Sequence, residues 1–126
     1  MAPDHSPSDG LPQLLQMLKT EADRIRQLES QAKLALHENN DPKNHKLLMT
    51  KKCGVLMALP EQAQPLVTAL EPWLAASVTE ELSSMATRAA QAVELDSVFY
   101  MAALLYPEDY QEGAPNSLEE WIDSLA

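Results

Sequence analysis

Apolar residues recur every three or four positions along most of the chain, which is the spacing of one face of an α-helix. The clearest stretch runs from Pro72 to Tyr106 and has no internal glycine or proline. Pro72 suits a first helical turn, whereas Pro107 cannot continue a helix. The pattern therefore predicts a long central helix, in which a break would fall near 94–97. Its predicted apolar face comprises Leu74, Val78, Leu82, Met85, Ala89, Ala92, Val93, Phe99, Ala103 and Tyr106.

The same spacing predicts two earlier helices. The first runs from Leu11 to about Glu38, and Asn39–Pro42 follows as a turn, because Asn tolerates left-handed backbone angles and Asp before Pro resists helix. The second helix is expected from Pro42 to about Leu59, and the short turn makes the pair an antiparallel hairpin. Its lysines are expected to point mostly outward: Lys43, Lys46, Lys51 and Lys52.

Prolines and a capping pattern mark the remaining elements. Pro60 and Pro65 predict a separate short helix that ends near Leu70 and forms a corner before the central helix. Near the C-terminus, Ser117 and Glu120 stand three residues apart, as in a capping box, and predict a final short helix.

The composition fits a single all-α domain. Hydrophobic residues make up 45% of the 126 positions but aromatic residues only 5%, which indicates an aliphatic, alanine-rich core. No alternating β-branched run of useful length is present. We therefore predict an all-α helical bundle with a long N-terminal antiparallel helix hairpin, a long central helix and a short C-terminal helix. Residues 11–126 are predicted to form this domain behind a disordered leader at 1–10.

The charge distribution narrows the choice of partner. The formal net charge is −10, which disfavours binding to nucleic acid or to an anionic membrane. From Cys53 onward, Arg88 is the single basic residue among 12 acidic ones. This acidic half either packs beside the more basic hairpin within one fold or offers a face to a basic partner.

The sequence has few features that indicate a cellular compartment. The single cysteine permits no internal disulfide, and the first ten residues lack the cationic start and apolar run of a secretory signal. The longest uncharged apolar segment, 97–107, is far shorter than the roughly 20 residues of a membrane span. We therefore expect a cytoplasmic protein with no membrane partner.

No motif in the sequence specifies a reaction. The three histidines, His5, His37 and His45, do not have the spacing of a helical zinc motif, and Cys53 has no second cysteine. Glycine-rich phosphate loops and nucleophile elbows are absent from the sequence. We therefore predict no catalytic residue, no metal site and no cofactor. An enzyme or metal protein around His37 and His45 is the least favoured hypothesis.

The C-terminal region carries the candidate binding residues. Five of the six aromatic residues lie at or after Phe99, among many acidic residues, and tyrosine and tryptophan favour protein interfaces. The alternative is that the final helix folds back to cover the end of the bundle. The predicted partner-binding residues are Tyr106, Tyr110, Leu118, Trp121, Ile122 and Leu125.

These observations favour a non-catalytic helical protein-interaction module, such as an adaptor, a chaperone-like protein or an inhibitor. Its expected partner is a protein, basic or helical, bound by helix-in-groove recognition, and a homodimer stays open. In being small, acidic and helical, with a long hairpin and an amphipathic C-terminal helix, the chain resembles export chaperones of flagellar or secretion systems, a likeness of pattern that no motif carries. The alternative is a small-ligand-binding or sensor bundle with a pocket near Phe99, Tyr100 and Met101.

Overall fold

The computed structural model describes residues 10–126, and within them every regular element is a helix. The predicted all-α bundle, with its N-terminal hairpin, long central helix and short C-terminal helix, is confirmed. Nine of the ten residues of the predicted leader lie outside the described part, and Gly10 is the buried N-cap of the first helix. The helices are α1 (Leu11–His37), α2 (Pro42–Val67), α3 (Pro72–Glu94), α4 (Val98–Ala103) and α5 (Ser117–Leu125).

Helix α2 is the middle element of the bundle, since it packs extensively against both α1 and α3. Helix α4 packs on α2 and α3, whereas α5 packs on α1. The side chains of all five helices join one apolar core. Its fully enclosed members include Leu14, Leu18, Ile25, Leu56, Leu59, Val78, Leu82, Met101, Leu118 and Ile122.

The turn between α1 and α2 forms as its composition predicts. Asn40 adopts a left-handed φ of 50°, which Asn tolerates better than most residues. The side chain of Asp41 accepts a hydrogen bond from the backbone N–H of Asn44 at 3.1 Å and so caps α2. The short connection holds α1 and α2 as a hairpin.

The predicted corner helix at 60–70 is wrong, because α2 continues unbroken through Pro60 and Pro65 to Val67. Proline removes a backbone donor but its φ is compatible with a helix. Leu59, Ala63 and Val67 are all buried at four-residue steps. Their burial outweighs the local cost of the two prolines, as tertiary packing often does.

The central helix is broken at 94–97, where the sequence predicts a break, and the apolar face predicted beyond that point is wrong. Helix α3 stops at Glu94, Asp96 takes a left-handed φ of 54°, and Ser97 caps α4 by accepting the N–H of Tyr100 at 3.2 Å. Because of this turn, the side chains of α4 do not continue the apolar face of α3. Phe99 is therefore 74% exposed instead of facing the core, and Met101 is buried in its place.

Among residues 10–126, no helix is both long enough and apolar enough to cross a bilayer.

Candidate protein-binding face and the buried charge network behind it

The chain between α4 and α5, residues 104–116, crosses from the α2–α3 side of the bundle to α1, and we call it the C-terminal strap. Its first part has an unusual backbone, because Leu105 adopts a φ of 77°, which is costly for a bulky side chain. The carbonyl of Leu105 accepts the N–H of Ser117 at 2.9 Å. The strap is therefore held in a strained conformation by its own contacts to the start of α5.

Lys52 fixes the beginning of this strap. The sequence predicts an outward side chain, but Lys52 is fully buried, so that expectation is wrong. Its Nζ donates to the carbonyl of Leu104 at 3.0 Å and of Ala102 at 3.4 Å. Nζ also lies 2.9 Å from Oε2 of Glu29 on α1, in an ion pair whose alignment falls outside hydrogen-bond geometry. A buried cation thus joins α1, α2 and the C-terminal end of α4.

Arg26 fixes the other end of the strap. Its Nε and Nη2 donate to the two carboxylate oxygens of Glu119 at 2.9 and 2.7 Å, a bidentate pair between α1 and α5. Nη2 also donates to the carbonyl of Ala114 at 3.1 Å. Glu119 completes a capping box with Asn116 at the start of α5, so the box lies one residue before the Ser117 and Glu120 pair that the sequence pattern predicted. The final helix is therefore docked on α1 by a charged contact as well as by apolar burial.

Tyr106 connects the two cations, and together Arg26, Glu29, Lys52, Tyr106 and Glu119 form what we call the charge network. The hydroxyl of Tyr106 donates to Glu29 at 2.6 Å and accepts from Arg26 at 3.2 Å. The ring of Tyr106 lies 5.2 Å from Nζ of Lys52, within cation–π range.

The network shifts the ionisation of its members. Burial lowers the pKa of Lys52, and the neighbouring Glu29 carboxylate opposes that shift. Burial, with the hydrogen bond to Glu29, raises the pKa of Tyr106 well above its usual value, so its hydroxyl stays protonated. The hydrogen bonds from Arg26 lower the pKa of Glu119. At neutral pH the Arg26–Glu119 contact is therefore a pair of full charges.

The six predicted partner-binding residues fall into two groups in the structure. Leu118 and Ile122 are buried in the core, whereas Trp121 and Leu125 are half-buried on α5 against that core. The other two, Tyr106 and Tyr110, are half-buried in the strap with their rings edge to face at 4.7 Å. Partner binding by these residues stays a prediction, and for Leu118 and Ile122 it requires α5 to leave α1.

A different part of the C-terminal half presents apolar surface. Leu95, Phe99 and Tyr100 are 64%, 74% and 54% exposed, and the two aromatic rings meet edge to face at 5.6 Å. Leu95 and Tyr100 line an open groove of about 510 Å³ between α3, α4 and the start of the strap, and Phe99 lies beside it through its contact with Tyr100. Apolar lining residues include Leu56, Met85, Ala92, Leu95, Leu104 and Leu105. We call this groove and its three exposed border residues the α3–α4 face.

Charged side chains on this face come from α3. Glu81 and Arg88 line the groove seven residues apart, so they lie on the same side of the helix. The ion pairs found among residues 10–126 do not include Arg88. The single basic residue of the acidic half therefore lies beside the exposed apolar surface.

The residues considered for metal or thiol chemistry have structural surroundings. His45 Nδ1 lies 2.8 Å from the carbonyl of Ala32 and so bridges α2 to α1. Burial raises the pKa of the enclosed Cys53 thiol, which disfavours the reactive thiolate. In the described part of the chain, no three His, Cys, Asp or Glu side chains lie together as a metal site would need.

One member of the charge network left a signal in the sequence. Lys52 occupies a helical step between Leu48 and Val55, four and three residues away, and both of these are buried. That phase places Lys52 on the core stripe. Arg26 and Glu119 left no such signal, since 93 residues separate them.

Comparisons with known proteins give no relative for this chain. No protein-family model, no curated protein and no solved structure matches it.

Proposed function

We propose that the protein is a non-catalytic protein-interaction module that binds a helical segment of a partner on the α3–α4 face. The observation that carries the proposal is the clustering of Leu95, Phe99 and Tyr100, all more than half exposed, beside an open apolar groove. Contiguous exposed apolar surface costs solubility and is typical of binding surfaces. Aromatic side chains are also enriched among the residues that dominate binding energy.

The shape of the groove favours a helix as the bound element. Its lining residues on α3 extend from Glu81 to Leu95, a distance of about 21 Å along a helix axis. An amphipathic helix of about four turns covers that length with its apolar face, in the helix-in-groove mode. The strained, doubly fixed strap forms the opposite wall, which keeps the groove open without a partner.

The charge network fits this function as a support. Lys52 holds Leu104, and Tyr106 is held by Glu29 and Arg26, so two of the four strap residues that line the groove are fixed from behind. A preformed wall lowers the ordering cost of binding. Lys52 is fully buried, whereas the side chains of Arg26 and Glu119 are 37% and 25% exposed, and we assign the network no reaction.

The test is affinity capture from cell lysate with three forms of the tagged chain. The wild type is compared with Leu95→Ser/Phe99→Ser on the face and with Leu34→Ser/Leu36→Ser, a control that removes exposed leucines from α1. Because all four side chains are exposed, we expect all three forms to give the same helical circular dichroism spectrum. A protein retained by the wild type and the control, and reduced at least several-fold with the face variant, is the expected result. Equal retention by the face variant would rule out this face.

A small-ligand-binding bundle is the second candidate, because the groove volume of about 510 Å³ lies in the range of ligand pockets. Tyr100 and Leu104 line the groove close to where the sequence places a pocket. Mass spectrometry of the intact protein, purified without denaturation, checks this candidate. A stoichiometric small-molecule adduct is expected if it is correct, and bare protein from several preparations contradicts it.

A further inference from the structure

One side of α3 carries a distinctive order of residues. Glu81, Arg88 and Leu95 follow at seven-residue steps and line the groove together. Trp73 lies on the same side, because five full helical turns separate it from Gln91, another lining residue. Trp73 is 68% exposed and Leu95 64%. Large apolar side chains thus lie at both ends of this side, with opposite charges between them.

We propose that α3 of a second copy of the chain packs antiparallel on this side of α3, forming a two-fold symmetric dimer. The inference rests on the proposed function, because it takes the α3–α4 face as the binding surface and names its occupant. A two-fold axis between Ser84 and Met85 sets Glu81 of each copy opposite Arg88 of the other. Two identical ion pairs result, as an isologous interface requires.

The same axis brings the exposed apolar ends together. Antiparallel pairing about 84 and 85 places Trp73 of one copy at the C-terminal end of α3 of the other, near Leu95 and before the turn at Asp96. Trp73 and Leu95 thereby lose their exposure to water at both ends of the interface. Ser84, a small half-buried residue, lies at the axis, where the two helices approach most closely.

The acidic side chains of α3 do not oppose one another in this arrangement. Glu80 falls opposite Ala89 of the second copy, and Glu94 falls opposite Ala75. A basic partner helix would instead place a cation against Arg88, whereas a second copy places Glu81 there. In the pairing of two copies, both charged residues on this side of α3, Glu81 and Arg88, face an opposite charge.

Charge reversal tests the pairing with sedimentation velocity at several protein concentrations. Wild type is expected to reach twice the mass of the chain as concentration rises. Arg88→Glu alone and Glu81→Arg alone each create two like-charge contacts, and each is expected to weaken dimerisation about ten-fold or more. An equimolar mixture of the two variants restores both ion pairs and is expected to recover the dimer. Both residues are exposed, so circular dichroism should show unchanged folding.

The outcomes separate this inference from the proposed function. A wild type that stays monomeric, a single variant that dimerises as the wild type does, or a mixture that stays monomeric overturns the dimer. Loss of a captured protein from Leu95→Ser/Phe99→Ser would still uphold the proposed function in each of those cases. Recovery of the dimer only in the mixture confirms the antiparallel pairing.

Discussion

Replacing Lys52 with methionine tests whether the buried charge network holds the C-terminal strap. Methionine keeps most of the apolar stem of lysine but removes the Nζ cation. The variant leaves the Glu29 carboxylate, whose side chain is 16% exposed, without the ion pair at 2.9 Å. It also leaves the carbonyl of Leu104 without its donor at 3.0 Å.

The magnitude follows from the burial of these groups. Removing one partner of a buried ion pair costs about 3–5 kcal/mol, because the remaining charge is uncompensated. Glu29 retains the hydroxyl of Tyr106 at 2.6 Å and limited contact with water, so we expect a loss near the lower end, about 3 kcal/mol. A domain of this size has a total stability of about 5–15 kcal/mol, so the effect is large and measurable.

A double variant separates the loss of a charge from the loss of packing. Lys52→Met/Glu29→Gln removes both charges, and neutral replacement of a buried pair is often nearly neutral for stability. We therefore expect it to be more stable than Lys52→Met alone, with an interaction energy of about 1–3 kcal/mol in a double-mutant cycle. Guanidinium unfolding followed by circular dichroism gives all four free energies. A Lys52→Met variant within about 0.5 kcal/mol of wild type would show that the ion pair does not stabilise the fold.

Three further changes test local features. Gly10→Ala should destabilise the fold by about 1–3 kcal/mol, because the added Cβ would lie 2.9 Å from both the Cβ of Ala69 and the carbonyl oxygen of Leu66. Gly54→Ala, where the added Cβ meets nothing within 4 Å inside α2, should instead stabilise by about 0.5–1 kcal/mol in the same unfolding assay. Glu119→Gln should lower stability above about pH 4.5, the ordinary pKa of a glutamate side chain, since Arg26 lowers the pKa of Glu119 in the folded state. The stabilisation by ionised Glu119 is present above the unfolded-state pKa and is lost as pH falls through the folded-state pKa, so wild type and Glu119→Gln should converge in acid unfolding curves. A difference that persists at the acid end, or Gly54→Ala proving the more damaging glycine change, would contradict these assignments.

The sequence pattern predicted most of the fold, because it depends on burial along regular helices. The buried stripe of Val78, Leu82 and Met85 in α3 follows the three- and four-residue steps of the sequence. The α1–α2 turn followed from its Asn and Pro residues. The expected corner at Pro60 was wrong. Core packing keeps α2 continuous past this proline, although proline by itself disfavours helix.

The candidate site was harder to predict, because it depends on long-range placement. The exposure of Phe99 follows from a turn at Asp96 that rephases α4, which an apolar count along one long helix does not show. The contact of Arg26 with Glu119 depends on where the strap crosses the bundle. Within the charge network, only Lys52 could have been placed from the sequence, because it is in phase with the core stripe of α2.

Site-specific photo-crosslinking in living cells shows whether the α3–α4 face binds protein. A photoreactive phenylalanine analogue is placed at Tyr100 on the face or, as a control of matched exposure, at Leu34 on α1; their exposed fractions are 54% and 51%. We predict a defined protein adduct, either a second copy or another chain, from position 100 and no adduct of that mass from position 34. Adducts that are the same from both positions, or no protein adduct from position 100, would contradict protein binding on the α3–α4 face.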